Sequence, residues 1–447
     1  MLGEENKLSK RLRRYGQVGG RAAGFTLQAT GSVIRGRGLV NDQLAQQLVA
    51  TLGELRGPLV KVAQILATIP DAVPPAFQEA MSQLQAHAPS MGKRFVERRM
   101  RAELGEYWRD RFQNFSPVAS FAASLGQVHE ATTSDGEHVA VKLQYPDMDS
   151  AVEADLAQLD VVLGIMRRVD GVIDTSAIRE ELAARLREEL DYIREAKLMA
   201  AYAKMLAHLD ISVPQPLTEL STSRLLTMTW CEGEKIFSDE QMATQSAEQI
   251  DHLAGQLFSA WWHPLVGYAI IHGDPHPGNY TINKDGQLNL LDFGCVRVFE
   301  PEFIDAVITL YEGFRENRSE QRAEAYKAWG FDNISKDLMD VLDIWAGFIY
   351  GPLLDDRTRM IAEDIAPGAY GRAEAMAVHK ALKALGPVRP PQEFVFMDRA
   401  AIGLGSVFIR LGAKQNWHQL FESQLAGATS LSRRKSQENM LQSVNLY

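Results

Sequence analysis

Cysteine is almost absent: the 447 residues carry only Cys231 and Cys295. They stand far apart without metal-type spacing, which excludes a disulfide framework and suggests a reducing compartment. A surplus of positive charge is also missing. The net charge is −10, so no nucleic-acid partner is expected, because neutralising phosphates takes clustered Lys and Arg. Long hydrophobic runs are absent as well. The best candidate, Leu257 to Ile271, is broken by His263 and Pro264 and falls short of the roughly 20 apolar residues that span a bilayer. Glu4 and Glu5 precede any apolar run, so no secretory leader is expected. The expectation is a cytoplasmic protein, soluble or peripheral at the inner face of a membrane. Finally, there is no G-x-x-x-x-G-K-[ST] and no glycine-rich phosphate loop before the strands, so any nucleotide must be held by another device.

What is present is an ordinary globular composition, 46% hydrophobic and 23% charged, long enough for two or three domain-sized units. Residues 1–40 form a basic arm, with Lys7, Lys10, Arg11, Arg13, Arg14, Arg21, Arg35 and Arg37 against only Glu4 and Glu5. Gly16, Gly20 and Gly24 recur at a spacing that lets helices approach closely. The arm reads either as poorly ordered or as a helix that meets anionic lipid or a second copy in a homodimer. Residues 41–110 read as a helical extension, with Leu44, Leu48, Leu52, Leu55 and Leu59 at helical spacing. Gly57-Pro58 restarts the pattern, and Lys61, Gln64 and Thr68 then share a face opposite Leu59, Val62, Leu66 and Ile69.

Over 111–231 the period shifts to two. Gly126 to Ala131 and His138 to Leu143 read as strands around a Ser134-Asp135-Gly136 turn, and Ser221 to Trp230 as another strand. Between them a long helix is expected near 176–208, its stripe Ile178, Leu182, Leu186, Leu190 and Ile193. Residues 232–447 are mostly helical, interrupted by a loop and hairpin at 272–298, and 433–447 read as a frayed polar tail.

The most informative stretch is Ile270-Ile271-His272-Gly273-Asp274-Pro275-His276-Pro277-Gly278-Asn279, followed by a hairpin turned at Asp285-Gly286 and then Leu290-Leu291-Asp292-Phe293-Gly294. Phosphoryl transfer needs one carboxylate at the acceptor hydroxyl or water, and a second carboxylate with an amide oxygen to hold magnesium on the phosphates. Asp274, Asp292 and Asn279 supply these in the order and spacing of protein kinases. His272 and His276 could be taken for metal ligands beside Asp274, but that would leave Asn279 and Asp-Phe-Gly unexplained; His272 reads better as a brace for the loop backbone. Such a site also needs a cation on the α and β phosphates. In Val139-Ala140-Val141-Lys142, strand alternation sends Lys142 opposite Val139, Val141 and Leu143, into a cleft if the valines face the core. A carboxylate from Glu188-Glu189-Leu190-Asp191-Tyr192-Ile193-Arg194-Glu195 should pair with it. Asp191 and Glu195 share a helix face and Glu189 lies off it, but spacing alone does not choose the partner.

Taken together these motifs resemble the UbiB-type (AarF-domain) atypical kinases. Ser120-Phe121-Ala122-Ala123-Ser124-Leu125-Gly126-Gln127-Val128-His129 looks like that family's alanine-rich nucleotide loop. Lys61-Val62-Ala63-Gln64 is similar to its KxGQ helix, Glu189-Leu190-Asp191 to its ExD motif, and His272 to Asn279 to its catalytic loop. The resemblance runs from about 50 to 330. It implies an α+β, two-lobed protein-kinase-like fold with the helical extension folded over the site. It also implies that Lys61 and Gln64 enter the pocket where a kinase would admit a peptide, that Lys61 meets Glu189 and Asp191, and that Glu195 partners Lys142. ATP (or ADP) with magnesium is the implied cofactor, contacted by Ala122, Ala123, Ser124 and Lys142 and, at a hinge after the last strand, by Met228, Thr229, Trp230 and Cys231. His276 joins His272 in bracing the loop. The implied work is ATP hydrolysis or phosphotransfer supporting ubiquinone biosynthesis, with a quinone precursor or other isoprenoid lipid as partner. A protein kinase with peptide substrates and a nucleotide-binding scaffold are the competing readings. Three departures stand out: Ala63 replaces the KxGQ glycine, Phe121 stands where alanine is expected, and no paired membrane helices follow the kinase region.

Overall fold

Alternation along the strands decides which side of the first sheet becomes core. The computed structural model describes residues 91–153 except Ser124, 156, 183–331 except Arg185, 334–363, 365, 369–385 and 392–446. The expectations placed on residues 1–90, with Lys61 and Gln64, and on Ser124 lie outside the described residues. Helix α1 (Lys93–Leu104) is followed by β1 (Phe112–Phe115), β2 (Phe121–Ala122), β3 (Gly126–Thr133) and β4 (His138–Gln144). Then come α2 (Tyr192–Met205), β5 (Ile211–Ser212) and β6 (Leu225–Thr229). The sheet runs β1-β3-β4-β6, with β2 also on β3, all antiparallel. Val139, Val141, Leu143 and Leu225 turn to one face and pack with Phe95, Val96 and Met100 of α1 and with Trp108. Residues two apart on a strand share a face, so Lys142, Ala140 and His138 take the other.

The second lobe is helical. It contains β7 (Glu234–Lys235), α3 (Asp239–Thr244), α4 (Ala247–Tyr268), β8 (Ile270–Ile271), β9 (Tyr280–Ile282), β10 (Leu288–Leu290) and β11 (Arg297–Val298). Helices α5 (Pro301–Arg315), α6 (Ser319–Ala328), α7 (Lys336–Leu354), α8 (Arg372–Leu385), α9 (Gln392–Leu411), α10 (Trp417–Leu425) and α11 (Ser430–Ser443) follow. Its core gathers Phe258 and Trp261 of α4, Val307 and Tyr311 of α5, Phe408 of α9 and Trp417 of α10. Leu198, Tyr202 and Met205 of α2 join the same core, so α2 is rooted in the helical lobe while its first turn meets the sheet. A capping box between Ser246 and Gln249 starts α4, and Ala269, in the left-handed region at φ 53°, ends it directly before β8. That stop delivers the chain to the catalytic loop.

Two expectations are corrected. The long helix over 176–208 is not continuous: Glu189 and Leu190 form a turn, and α2 begins anew after Asp191. The Asp191 carboxylate accepts from the Ile193 and Arg194 amides, a cap that satisfies donors a continuous helix would not expose. The tail over 433–447 is not frayed either. It is largely α11, with Arg433, Gln437 and Leu441 buried. No helix among the described residues is long and apolar enough to cross a membrane.

Candidate active site

Lys142 is brought to the cleft by β4 and met there by carboxylates from two other elements. Its Nζ lies 2.6 Å from Glu195 Oε1 on α2 and 3.6 Å from Asp292 Oδ1. Of the three candidate carboxylates, Glu195 is the one seen paired with it. The Tyr192 ring, on the first turn of α2, lies beneath the ammonium at 5.0 Å from Nζ to the ring centre, within reach of a cation–π attraction. Burial pushes the Lys142 ammonium down, but the charges of Asp292 and Glu195 outweigh burial and hold it well above the ordinary lysine range. Lys142 is therefore a permanent cation at neutral pH. Leu125, Lys142, Glu189, Tyr192, Glu195, Asp292 and Gly294 line one small slot.

The catalytic loop leaves β8 with Gly273 at φ 76°, and a Cβ there would stand 2.3 Å from the Cys295 carbonyl oxygen. Only glycine allows the loop to lie so close to the residue that follows Asp-Phe-Gly. Asn279 Nδ2 donates to both the backbone oxygen and Oδ2 of Asp274, each at 3.2 Å. This fixes the carboxylate and leaves the Asn279 amide oxygen for another partner. His276 Nδ1 accepts from the Gly278 amide at 3.0 Å and so caps the short turn Pro277–Asn279. His272, fully buried, lies with Nε2 3.3 Å from the Leu291 carbonyl, and the Leu291 amide donates to the Asn279 carbonyl at 2.9 Å. Both bonds tie the loop to the residue before Asp292. Asp292 itself takes φ 50° and accepts from the Gly294 amide at 3.1 Å. Asp274 and Asn279 are buried, while the Asp292 side chain is 40% exposed.

A carboxylate beside an amide oxygen, open on one side, fits magnesium carried on a nucleotide's phosphates, since that ion takes only one or two protein carboxylates and keeps its other positions for phosphate and water. Asn279 and Asp292 offer this donor set. Among the described residues no group of three or more His, Cys, Asp or Glu could hold a metal by itself; His272 and His276 each meet backbone of this loop and hairpin.

At the other end of the cleft β6 ends at Thr229. Met228 pairs with Ala140. The Thr229 amide donates to the Gln215 carbonyl at 2.9 Å and the Trp230 amide to the His138 carbonyl at 2.9 Å. The Cys231 amide is thus the next along the linker. Ala122 and Ala123 sit on and just after β2, where Ala123 and Gly126 exchange backbone hydrogen bonds in a tight loop. Asp191 is spent on capping α2, whereas Glu189 is buried and accepts from the Cys295 thiol at 3.2 Å. Cys295 and Tyr192 escaped the sequence reading. Tyr192 lies three residues before Glu195, a helical spacing that shares a face, and Cys295 directly follows Asp-Phe-Gly; these spacings are the sequence signals for the two residues.

An antiparallel sheet over a helical lobe, with the lysine strand, a helix glutamate and two loop carboxylates meeting between them, defines a protein-kinase-like, two-lobed fold. The chain belongs to the ABC1 atypical kinase-like family, whose domain pattern matches residues 83–325. It is similar to the solved structure of Rv3197 from Mycobacterium tuberculosis in complex with erythromycin, with TM-score 0.58 and 25% identity over 90% of this chain and 98% of that one. It is 33% identical over 264 residues to an uncharacterized chloroplastic aarF domain-containing protein kinase of Arabidopsis thaliana, covering 58% of this chain and 37% of the relative. It is 28% identical over 332 residues to the mitochondrial atypical kinase coq-8 of Caenorhabditis elegans, covering 71% and 43%. The chain thus spans less than half the length of these two kinase relatives from Arabidopsis and Caenorhabditis.

Proposed function

We propose that this chain binds ATP with magnesium and acts as an ATPase or small-molecule phosphotransferase supporting ubiquinone biosynthesis or the handling of isoprenoid lipids. The observation that carries the chemistry is the meeting of Lys142, Glu195 and Asp292, with the bonded pair Asp274 and Asn279 on the loop tied to the residue before Asp292. Lys142 grips the α and β phosphates, and Glu195 holds it in place. Asn279, through its amide oxygen, and Asp292 would hold the magnesium, which would supply charge neutralisation on the transferred group. Asp274 accepts the proton of the attacking hydroxyl or water as that oxygen bonds to the γ-phosphorus and the bond to ADP breaks. The lipid side of the reading rests on what the motif resemblance to the UbiB-type kinases implies.

The test is ATP turnover by purified protein with magnesium, with and without liposomes and a phenolic quinone precursor. Asp274→Asn should lower kcat about 10²- to 10⁴-fold while ATP still binds, and Asp292→Asn should abolish magnesium-dependent turnover. Phosphate release that liposomes or the phenol stimulate, without label on protein, supports the lipid-coupled reading. Binding without turnover in every condition would leave a nucleotide-binding scaffold, and labelled peptide would leave a protein kinase.

A further inference from the structure

The face of the sheet that carries Lys142 continues to a group of aromatic rings that the reaction does not use. Cross-strand partners share a face. Phe121 is opposite Val128, Val128 is opposite Lys142, and Lys142 is opposite Leu226. Stepping by two, that face carries Lys142, Ala140 and His138 on β4, and Leu226, Met228 and then Trp230 at the end of β6. His138 lies four residues from Lys142, roughly 13 Å at strand rise. That is a span comparable with the reach of a nucleoside triphosphate from its inner phosphates to the far edge of its base.

At this end three rings stack. Trp230 lies 5.1 Å from His138 at an interplanar angle of 17°, and 6.0 Å from Phe121 at 30°. His138 is held from both edges, by Glu130 at 2.9 Å and Glu232 at 3.5 Å, and by the Trp230 amide on its carbonyl. Phe121 comes from the other side, from the strand that opens the alanine-rich loop, and remains 51% exposed. Its ring therefore links the nucleotide loop to the linker across the mouth of the cleft. An alanine at position 121 could not make this contact.

We propose that Phe121, Trp230 and His138 form an aromatic clasp over the base end of the cleft, and that Phe121, by closing the nucleotide loop onto the linker, slows nucleotide release and favours a large flat purine base. The clasp rests on the reading of the cleft as a nucleotide site. Aromatic stacking rewards ring area but accepts every base to some degree, so a modest preference for purine over pyrimidine is the selectivity it confers.

The experiment is stopped-flow release of a ribose-labelled fluorescent ATP, with ATP, GTP and CTP as competitors, on the full chain and on Phe121→Ala, Phe121→Trp and His138→Ala. Phe121→Ala should release the probe on the order of tenfold faster and narrow the gap between purine and pyrimidine competitors. Phe121→Trp should keep both properties, and His138→Ala should speed release by loosening Trp230. Because Phe121 is half exposed, its loss leaves the fold intact, which a thermal melt checks. Probe bound by the parent chain with the same release rate and selectivity in Phe121→Ala would overturn the clasp and leave the nucleotide reading standing. A parent chain that takes up no nucleotide would overturn both.

Discussion

At the scale of single residues, the buried charges carry the sharpest consequences. Lys142 is 9% exposed and Glu195 2% exposed, so each depends on the other for solvation lost on folding. Removing one partner of a buried pair leaves an uncompensated charge and costs several kcal/mol. Asp292 at 3.6 Å still faces Lys142, which softens the loss. Glu195→Gln should therefore destabilise the protein by roughly 2 kcal/mol in urea unfolding, and Lys142→Met added to it should recover part of that. If the double variant is less stable than Glu195→Gln alone, the pair is not what the single variant disrupts. A second case is His129. The Met91 amide donates to Gln127 Oε1 at 2.7 Å, and Gln127 Nε2 donates to the Met91 carbonyl at 3.2 Å. This fixes the amide, so its nitrogen faces His129 Nε2 at 2.8 Å, and His129 Nδ1 faces the Ser116 carbonyl at 2.9 Å. The ring is thus neutral with its proton on Nδ1, because a second proton would set donor against donor. Burial pushes its pKa down. The unfolded chain binds that proton near about pH 6.5 and the folded chain only at lower pH, so stability is full above that pH and falls as acidity increases toward the folded value. Urea midpoints should drop between pH 7.5 and pH 5, and His129→Gln should show a smaller drop. An identical drop would place the effect elsewhere, with His263 and His272, also pushed down by burial, the next to vary.

At the scale of elements, the strands were legible, and so was a helix bearing Glu195, but the break that sets its start was not. Alternation around Val139, Val141 and Leu143 placed Lys142 on the cleft side, because period two admits no other assignment once one face is apolar. The apolar stripe from Ile178 to Ile193 ran straight through a break, since a stripe reports which face is buried and says nothing of a cap within it. Asp191 was the signal: an aspartate two and three residues before amides that need acceptors, in the Leu190-Asp191-Tyr192 context of a helix start. Its position also decides which carboxylate reaches Lys142. With α2 starting after Asp191, Glu195 lies in the first turn and points at β4. Asp191→Ala should cost about 1 kcal/mol, whereas Asp191→Ser, which can still cap, should cost much less. Equal losses from the two would mean that the carboxylate's charge, and not the cap, is what the site requires.

At the scale of the whole molecule, the part least legible in the sequence is what joins the catalytic pieces. Helix α11 is polar enough to read as a tail, yet Arg433, Gln437 and Leu441 fall four apart on its buried face, and two of the three work through their polar heads. Arg433 Nε donates to the Val266 carbonyl at 2.7 Å near the end of α4, and its guanidinium pairs with Asp305 of α5. Gln437 Nε2 donates to the Phe299 carbonyl at 2.8 Å, just past β11. Lys197 and Lys204 of α2 reach the other end, donating to the Asn445 carbonyl at 2.6 Å and the Ser443 carbonyl at 3.0 Å. One helix thus touches the segment that leads into Asp274, the strand that follows Asp292, and the helix that bears Glu195. Hydropathy scales register none of this, because the binding groups are polar and charged side chains, most of them on backbone oxygens. Lys204 also bonds the carbonyl of the last residue of α11, where helix carbonyls lack partners within the helix, and Lys197 bonds a carbonyl just beyond it. Lys197→Ala with Lys204→Ala removes exposed contacts of modest energy, so the melting temperature should fall by only a few degrees. If α11 holds α2 in place, amide exchange along residues 192–205 should nonetheless quicken several-fold, and ATP turnover should fall with it. In a Glu195→Gln background the double substitution should add little to the loss of turnover, since both act on one ion pair and such effects are not additive. Exchange along α2 that stays at the parental rate would show that the helix is rooted by its apolar side alone, through Leu198, Tyr202 and Met205.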